Sequence, residues 1–164
     1  MIILGVDPGT AITGYGILAS DGEALKMIAY GAITTPSDWQ LPRRLQHIHA
    51  ELTALIAKHK PTEAVVEKLF FNKNVRTALS VGQARGVALL AASQTGLVVH
   101  EYTPLQTKQA VVGYGRAEKM QIQQMVKMLL QLHHVPQPDD AADALAIAIC
   151  HAHSARFHSL TSDK

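Results

Sequence analysis

Three short segments place carboxylates where a folded chain seldom leaves them. Asp139-Asp140-Ala141-Ala142-Asp143 opens a run from Ala144 to Cys150 that is otherwise apolar. Asp140 and Asp143 are three apart, so on a helix their side chains share a face one turn apart. First-turn aspartates also complement the helix dipole, which accounts for Asp139 or Asp140 better than for Asp143, a full turn in. Asp7 closes the apolar run Ile2-Ile3-Leu4-Gly5-Val6, as expected of a buried strand whose carboxyl end reaches a site. A turn aspartate capping Gly9 and Thr10 is the competing role there. Glu67 ends Glu63-Ala64-Val65-Val66-Glu67 and shares a strand face with Glu63 by period-two alternation, as an ordinary exposed strand glutamate also would.

If Asp7, Glu67, Asp140 and Asp143 converge, charge decides what must accompany them. Two carboxylates about 4 Å apart repel by roughly 4 kcal/mol at an effective dielectric near 20, and four acids multiply such pairs. Protonation or cations must relieve this. An all-oxygen donor set favours a hard ion, Mg²⁺ with Mn²⁺ as substitute, and two divalent ions per site balance four charges. Two ions about 4 Å apart activate water and stabilise the leaving oxygen of an in-line phosphodiester displacement. The expected chemistry is metal-dependent cleavage of a phosphodiester.

The elements that must position these acids follow from hydrophobic periodicity. Residues 2–7, 13–20 and 24–35 read as three sequential antiparallel strands, the second and third joined by Ser20-Asp21-Gly22-Glu23. Leu45, Ile48, Leu52, Leu55 and Ile56 recur at helical spacing over 41–60, and 63–69 is a fourth strand. A small-residue helix over 74–93 precedes a fifth strand at 97–102. Helices over 104–112, 117–132 and 139–155 complete the chain, with Gly113-Tyr114-Gly115 breaking the first two apart. That order predicts an α/β fold, a mixed five-stranded sheet with its first three strands antiparallel and flanked by helices.

Composition bounds the rest. The chain has 164 residues, 48% hydrophobic and 17% charged, which suits one folded domain and excludes a disordered chain. We expect one domain over 1–158 and a short flexible tail over 159–164. No apolar run approaches the roughly 20 residues of a membrane helix, and Met1–Val6 lacks a basic leader. The single Cys150 excludes an internal disulfide framework, so a cytoplasmic protein is expected. The net charge of +2 conceals an asymmetry: residues 1–67 carry −2, 68–138 carry +6 and 139–164 carry −2. A basic middle beside acidic ends suits an anionic partner held next to a carboxylate cluster. Lys108, Arg116 and Lys119 cluster around the glycine break, with Lys68, Lys73, Arg76 and Arg85 upstream, as suits phosphate contacts. Phe70 and Phe71 stand beside Glu67, where one could stack on a base or both could pack in the core.

The sequence resembles the RuvC family of crossover (Holliday) junction endodeoxyribonucleases. The matching segments are Gly5-Val6-Asp7-Pro8-Gly9-Thr10 with Thr13-Gly14-Tyr15-Gly16, Glu67-Lys68-Leu69-Phe70, Gly82-Gln83-Ala84-Arg85-Gly86-Val87-Ala88, Lys108-Gln109 through Val112-Gly113, Ala117-Glu118-Lys119 and Asp140-Ala141-Ala142-Asp143-Ala144-Leu145-Ala146, in order along nearly the whole chain. The resemblance implies an RNase H-like fold, a homodimer, and Mg²⁺-dependent symmetric nicking of four-way DNA junctions in recombination and repair. It implies catalytic and metal-binding roles for Asp7, Glu67, Asp140 and Asp143, and DNA contacts by Lys108, Lys119 and the aromatic Phe70. A branch-migration complex is implied as a partner. Ala78, Gly82, Ala84, Gly86 and Ala88 on the 74–93 helix suit a dimer face, and sheet packing explains them equally well.

Two other functions fit parts of the chain. Asp7-Pro8-Gly9-Thr10 followed by Gly14 and Gly16 resembles the phosphate loop of actin- and hexokinase-type proteins, whose backbone amides cradle a nucleotide. Those proteins close two domains on the nucleotide, and this length holds one. A protein that binds junctions without cutting them would use the basic middle but leave the acids unexplained. Nine histidines raise zinc, with His133, His134, His151 and His153 nearest the acidic helix, yet adjacent or i,i+2 histidines do not share a helix face. Surface or core histidines are the expectation.

Overall fold

The computed structural model describes residues 1–68 and 75–162, of which 158–162 as backbone only. Five strands, β1 (Ile2–Asp7), β2 (Ile12–Ser20), β3 (Leu25–Thr34), β4 (Glu63–Glu67) and β5 (Val98–Tyr102), form one sheet in the order β3-β2-β1-β4-β5. β1 runs antiparallel to β2 and parallel to β4, β2 antiparallel to β3, and β4 parallel to β5. This is the expected mixed sheet. β1 is covered on both faces, with Ile3, Leu4 and Val6 all buried, which is why it reads as a continuous apolar run. The β2–β3 turn is tied by Asp21, whose carboxylate accepts from the amides of Glu23 (3.0 Å) and Ala24 (2.8 Å).

One face of the sheet carries α1 (Leu41–His59) and α2 (Val75–Gln94), which bury Ile48, Leu52, Ile56, Ala84, Ala88 and Ala91 against Leu4, Val6, Ile17, Ile33 and Val66. The other face carries α3 (Pro104–Val112), α4 (Lys119–Leu129) and α5 (Asp139–Ser162), packed on Ile3, Leu18 and Val65. α3 starts in a reciprocal cap in which the Thr103 hydroxyl accepts from the Gln106 amide and the Gln106 side chain accepts from the Thr103 amide. At the start of α4 the Gln121 side chain likewise accepts from the Glu118 amide, at 2.8 Å, and that helix begins at Lys119 rather than at Ala117. α5 continues to Ser162 rather than stopping near Ala155, taking 159–162 into the helix where a tail was expected. Residues 156–162 contain neither Gly nor Pro, and each residue added to an established helix gains a hydrogen bond. Leu69, Phe70, Phe71, Lys73 and Asn74 lie outside the described residues.

The seat of α5 explains three glycines. A side-chain carbon at Gly5 would collide with the Ala144 carbonyl oxygen, one at Gly14 with the Asp140 carbonyl, and one at Gly16 with the Leu145 side chain at 2.7 Å. The helix backbone lies directly on β1 and β2 because nothing projects from those positions. Gly14 and Gly16 are therefore occupied by α5, not left open as a phosphate cradle.

Candidate active site

Asp7 and Glu67 end neighbouring parallel strands: Val6 pairs with Val66, and each acid follows its member of that pair. Adjacent strands lie about 4.8 Å apart, so the two carboxylates emerge side by side at one end of the sheet. Asp7 is in register with Gly14 of β2, and Gly14 is where the first turn of α5 rests, with Asp140 over it. Asp143 follows one turn later on the same helix. The bare glycine strip thus brings the α5 acids down to the strand-end acids.

Electrostatics report the convergence. Burial pushes the Asp7 carboxyl up to about 8, helped by the negative charges of Glu67, Asp143 and Asp140 and opposed by Lys119. Glu67 is raised by burial and by Asp143, with Lys108 opposing. Asp143 is raised chiefly by burial, against the pull of Lys119. Carboxyls held above their ordinary range by burial and mutual repulsion mark an excess of negative charge that a divalent cation relieves, so this donor set fits hard metal ions. Capping of Gly9 does not occupy Asp7, because the Gly9 amide donates to the Thr13 hydroxyl at 3.3 Å, which in turn donates to the Gly9 carbonyl at 2.7 Å.

Clefts flank the acids on both sides. One of about 250 Å³ is lined by Glu67, Asp143, Pro104, Thr107, Lys108 and Lys119. The other, about 460 Å³, includes Gly9, Thr10, Arg76, Ser80 and Asp140. The Lys119 ammonium bridges Asp139 (3.1 Å) and Asp143 (3.4 Å). Desolvation works to lower the Lys119 pKa, but its hydrogen bond to Asp139 and the charges of Asp143 and Asp139 leave it raised. Asp139 itself sits low, held by Lys119 and by a hydrogen bond from Gln123 at 3.1 Å. The structure therefore separates the acidic triplet: Asp139 is held in a surface network with Lys119 and Gln123, Asp143 shares Lys119 but lines the cleft with Glu67, and Asp140 lines the second cleft.

The basic residues divide in the same way. Lys108 and Lys119 reach the acid cleft, Arg76 lines the second cleft, and Arg116 is exposed on the α3–α4 connection. Arg85 is engaged elsewhere, pairing with Glu101 and donating from Nε to the Glu67 carbonyl at 3.2 Å, so it braces the end of β4. The position of Phe70 lies outside the described residues.

Sequence reasoning missed two polar clusters. Behind the β1–β2 loop, Thr10 donates to the Ser80 carbonyl (2.8 Å), Ser80 donates back to the Thr10 hydroxyl (2.8 Å), and Arg44 donates to Thr35 (2.7 Å). Thr35 in turn donates to the Thr10 carbonyl at 2.5 Å, so both α1 and α2 are tied to the loop after Asp7. At the opposite end of β4, Glu63 meets His100 and His151. The shared strand face of Glu63 and Glu67 was a usable signal, but the histidines come from β5 and α5 and join only through packing. His133 and His134 are exposed and take no part in it.

Among the described residues, no helix is long and apolar enough to cross a membrane. The model of the family described as crossover junction endodeoxyribonuclease RuvC matches residues 3–151. The chain is 62% identical over 154 residues to a protein of that name from Heliobacterium modesticaldum, covering 94% of this chain and 95% of the relative. It is 60% identical to the one from Alkaliphilus oremlandii, with 96% of each covered. Among solved structures, Thermus thermophilus RuvC in complex with Holliday junction substrate superposes with a TM-score of 0.92 at 35% identity, covering 97% of both chains. A carboxylate cluster at the strand ends of this sheet, reached by basic residues and matched along almost the whole sequence, places the chain in the RuvC family of crossover junction endodeoxyribonucleases.

Proposed function

We propose that Asp7, Glu67, Asp140 and Asp143 are the catalytic acids with which this crossover junction endodeoxyribonuclease nicks four-way DNA, and that together they hold two Mg²⁺ ions, Mn²⁺ being an acceptable substitute. The observation that carries this reading is geometric: Asp7 and Glu67 follow paired residues on neighbouring strands, and Gly14, in register with Asp7, seats the turn of α5 that bears Asp140, with Asp143 one turn on. When bound, such ions activate a water and stabilise the leaving oxygen of the displaced strand. The protein supplies the remainder. Asp7 and Glu67 are half-buried at the cleft, and the fixed strand register holds those two carboxylates at neighbouring positions. Lys119 pairs with Asp143 and is placed to exchange that partner for a phosphate, since more than half of its side chain is exposed. Lys108 at Glu67 meets the same strand. Arg76 and Arg116 contact phosphates on either side, orienting the duplex arms without reading sequence. Phe70, three residues past Glu67, stacks on a base at the crossover.

One active site per chain calls for two chains to cut two opposed strands. On α2, Val75, Leu79 and Leu90 are 80%, 62% and 50% exposed, and Gly86 faces open space between them. Their helical spacing gives a single uncovered apolar face, which we assign to a homodimer contact. Ala84, Ala88 and Ala91 pack instead on the sheet. Family membership supports cooperation with a branch-migration complex in recombinational repair, in the cytoplasm, with the chain acting as one nuclease domain.

The test is to incubate the protein with a synthetic four-way junction and with a linear duplex of equal sequence, with and without Mg²⁺. Paired symmetric nicks in the junction alone, and only with Mg²⁺, are expected. Equal cutting of the duplex would reduce the protein to a general nuclease.

A further inference from the structure

Below the acid cluster, on the same face of the sheet, three metal-ligating side chains from three elements meet. Glu63 at the start of β4 places one carboxylate oxygen, Oε2, 2.8 Å from His100 Nε2 of β5 and 2.7 Å from His151 Nε2 of α5. All three ligand atoms lie within 4.8 Å of one another. The two imidazoles stack at 4.2 Å between centroids with 30° between planes, so both rings aim Nε2 at the same oxygen. His151 is 3% exposed, whereas the Glu63 and His100 side chains are 26% and 36% exposed, which leaves an entry path from solvent. The other nitrogen of His151, Nδ1, is already held by the Tyr102 hydroxyl at 3.0 Å.

We propose that Glu63, His100 and His151 form a second cation site, for a transition metal of the Zn²⁺ class, separate from the carboxylate site and serving to clamp β4, β5 and the C-terminal half of α5 together. Two imidazoles and one carboxylate are borderline donors that suit Zn²⁺, while Mg²⁺ prefers oxygen ligands. Zinc takes such ligands at about 2.0 to 2.2 Å and in a tetrahedron they stand a little over 3 Å apart, so the present hydrogen-bonded spacing must open by only about half an ångström. In the cation-free arrangement the Nε2 protons fill the space a metal would take. On binding, each ring changes tautomer, releasing its Nε2 proton to solvent and taking one up at Nδ1, so that His151 then donates to Tyr102, whose hydroxyl serves as acceptor as readily as donor. Tyr102 is thus the outer partner that fixes the ring. Water completes the fourth position. Glu63 and Glu67 are four residue steps apart along the strand, about 13 Å, so the two sites load independently.

The test is equilibrium dialysis of the full chain against micromolar Zn²⁺ in millimolar Mg²⁺, with bound zinc counted by elemental analysis and thermal unfolding followed in parallel. One zinc per chain is expected to survive the Mg²⁺ excess and to raise Tm, and the Asp7→Asn variant is expected to bind it equally. His100→Gln should weaken zinc binding by at least about 100-fold and abolish the Tm rise, and Tyr102→Phe should weaken it by about 10-fold. His100 is partly exposed, so its replacement keeps the fold testable even if His151→Gln does not fold. Absence of stoichiometric zinc in the wild-type chain, zinc lost with Asp7→Asn, or zinc retained undiminished by His100→Gln would each overturn the proposal.

Discussion

The two ends of β4 carry glutamates on one face of one strand, yet their surroundings differ in kind. Glu67 lies among Asp7 and Asp143, is pushed above the ordinary carboxylate range, and has Lys108 as its opposing charge. Glu63 shares its oxygen between two imidazoles, one of them buried and anchored to Tyr102. One end is left electrostatically unbalanced, the other is satisfied within the protein. That difference decides what each can do. An unbalanced cluster of oxygens stays ready for hard cations and for the phosphates they carry, whereas a satisfied His–Glu cluster holds elements in place. A carboxylate's function here is set by whether its neighbours repel it or donate to it.

The largest expected contrast comes from swapping one residue at each end. Glu67→Gln should reduce junction nicking by on the order of 10³-fold, since transition-state charge stabilisation by metal ligands is worth several kcal/mol. His100→Gln should leave nicking intact. Similar losses from both would erase the distinction between the two ends.

Next in size is pH. The Asp7 carboxyl is held at about 8 in the folded, cation-free chain against an ordinary 3.8, and Glu67 and Asp143 are raised too. The folded state therefore binds more protons than the unfolded state between those values. That contribution is fully present below about pH 4 and is lost as pH rises through 8, amounting to a few kcal/mol in order of magnitude. Melting in chelator should show Tm falling from pH 5 to pH 8, with the slope much reduced in Asp7→Asn and countered by added Mg²⁺. A Tm that rises over this interval in chelator would refute the assigned environment of Asp7.

Gly14 links the fold to the acid end. A methyl there meets the Asp140 carbonyl and must push α5 off the sheet. Gly14→Ala should lower unfolding stability by about 1 to 3 kcal/mol, as overpacking does, and should impair nicking through misplaced Asp140, while zinc binding at Glu63 persists. Chemical denaturation together with the dialysis experiment measures both effects. The smallest change concerns the rim. Lys108→Ala should weaken junction binding uniformly across sequences and reduce the slope of log K against log salt by about one, a single lost phosphate contact. An unchanged salt slope would remove Lys108 from the DNA face.

Much of the acid end is legible in the sequence itself. The Asp7 and Glu67 strands, the hairpin at Asp21-Gly22 and the acid pair on the last helix follow from local periodicity, and the charges alone require a cation once the acids meet. Adjacency requires the fold. In sequence, Gly14 and Gly16 resemble phosphate-loop residues; in space, they form with Gly5 of β1 the strip on which α5 rests. Asp139 is indistinguishable from Asp140 along the chain, because only the approach of Lys119 and Gln123 from α4 separates them. Arg85 reads as a free cation, and only the packing of α2 on β5 brings Glu101 beside it. His100 gives no signal, since its partners are 37 residues before it and 51 after it in the chain.

The central claim is that the acids at the ends of β1, β4 and the start of α5 cut DNA and do not merely shape the cleft. It is tested most directly by single-turnover nicking of a four-way junction by Asp7→Asn in Mg²⁺, with the DNA saturated and binding measured on the same samples. The account predicts junction binding at or above the wild-type level with nicking reduced by on the order of 10³-fold or more. Nicking at the wild-type rate by the bound variant would contradict it.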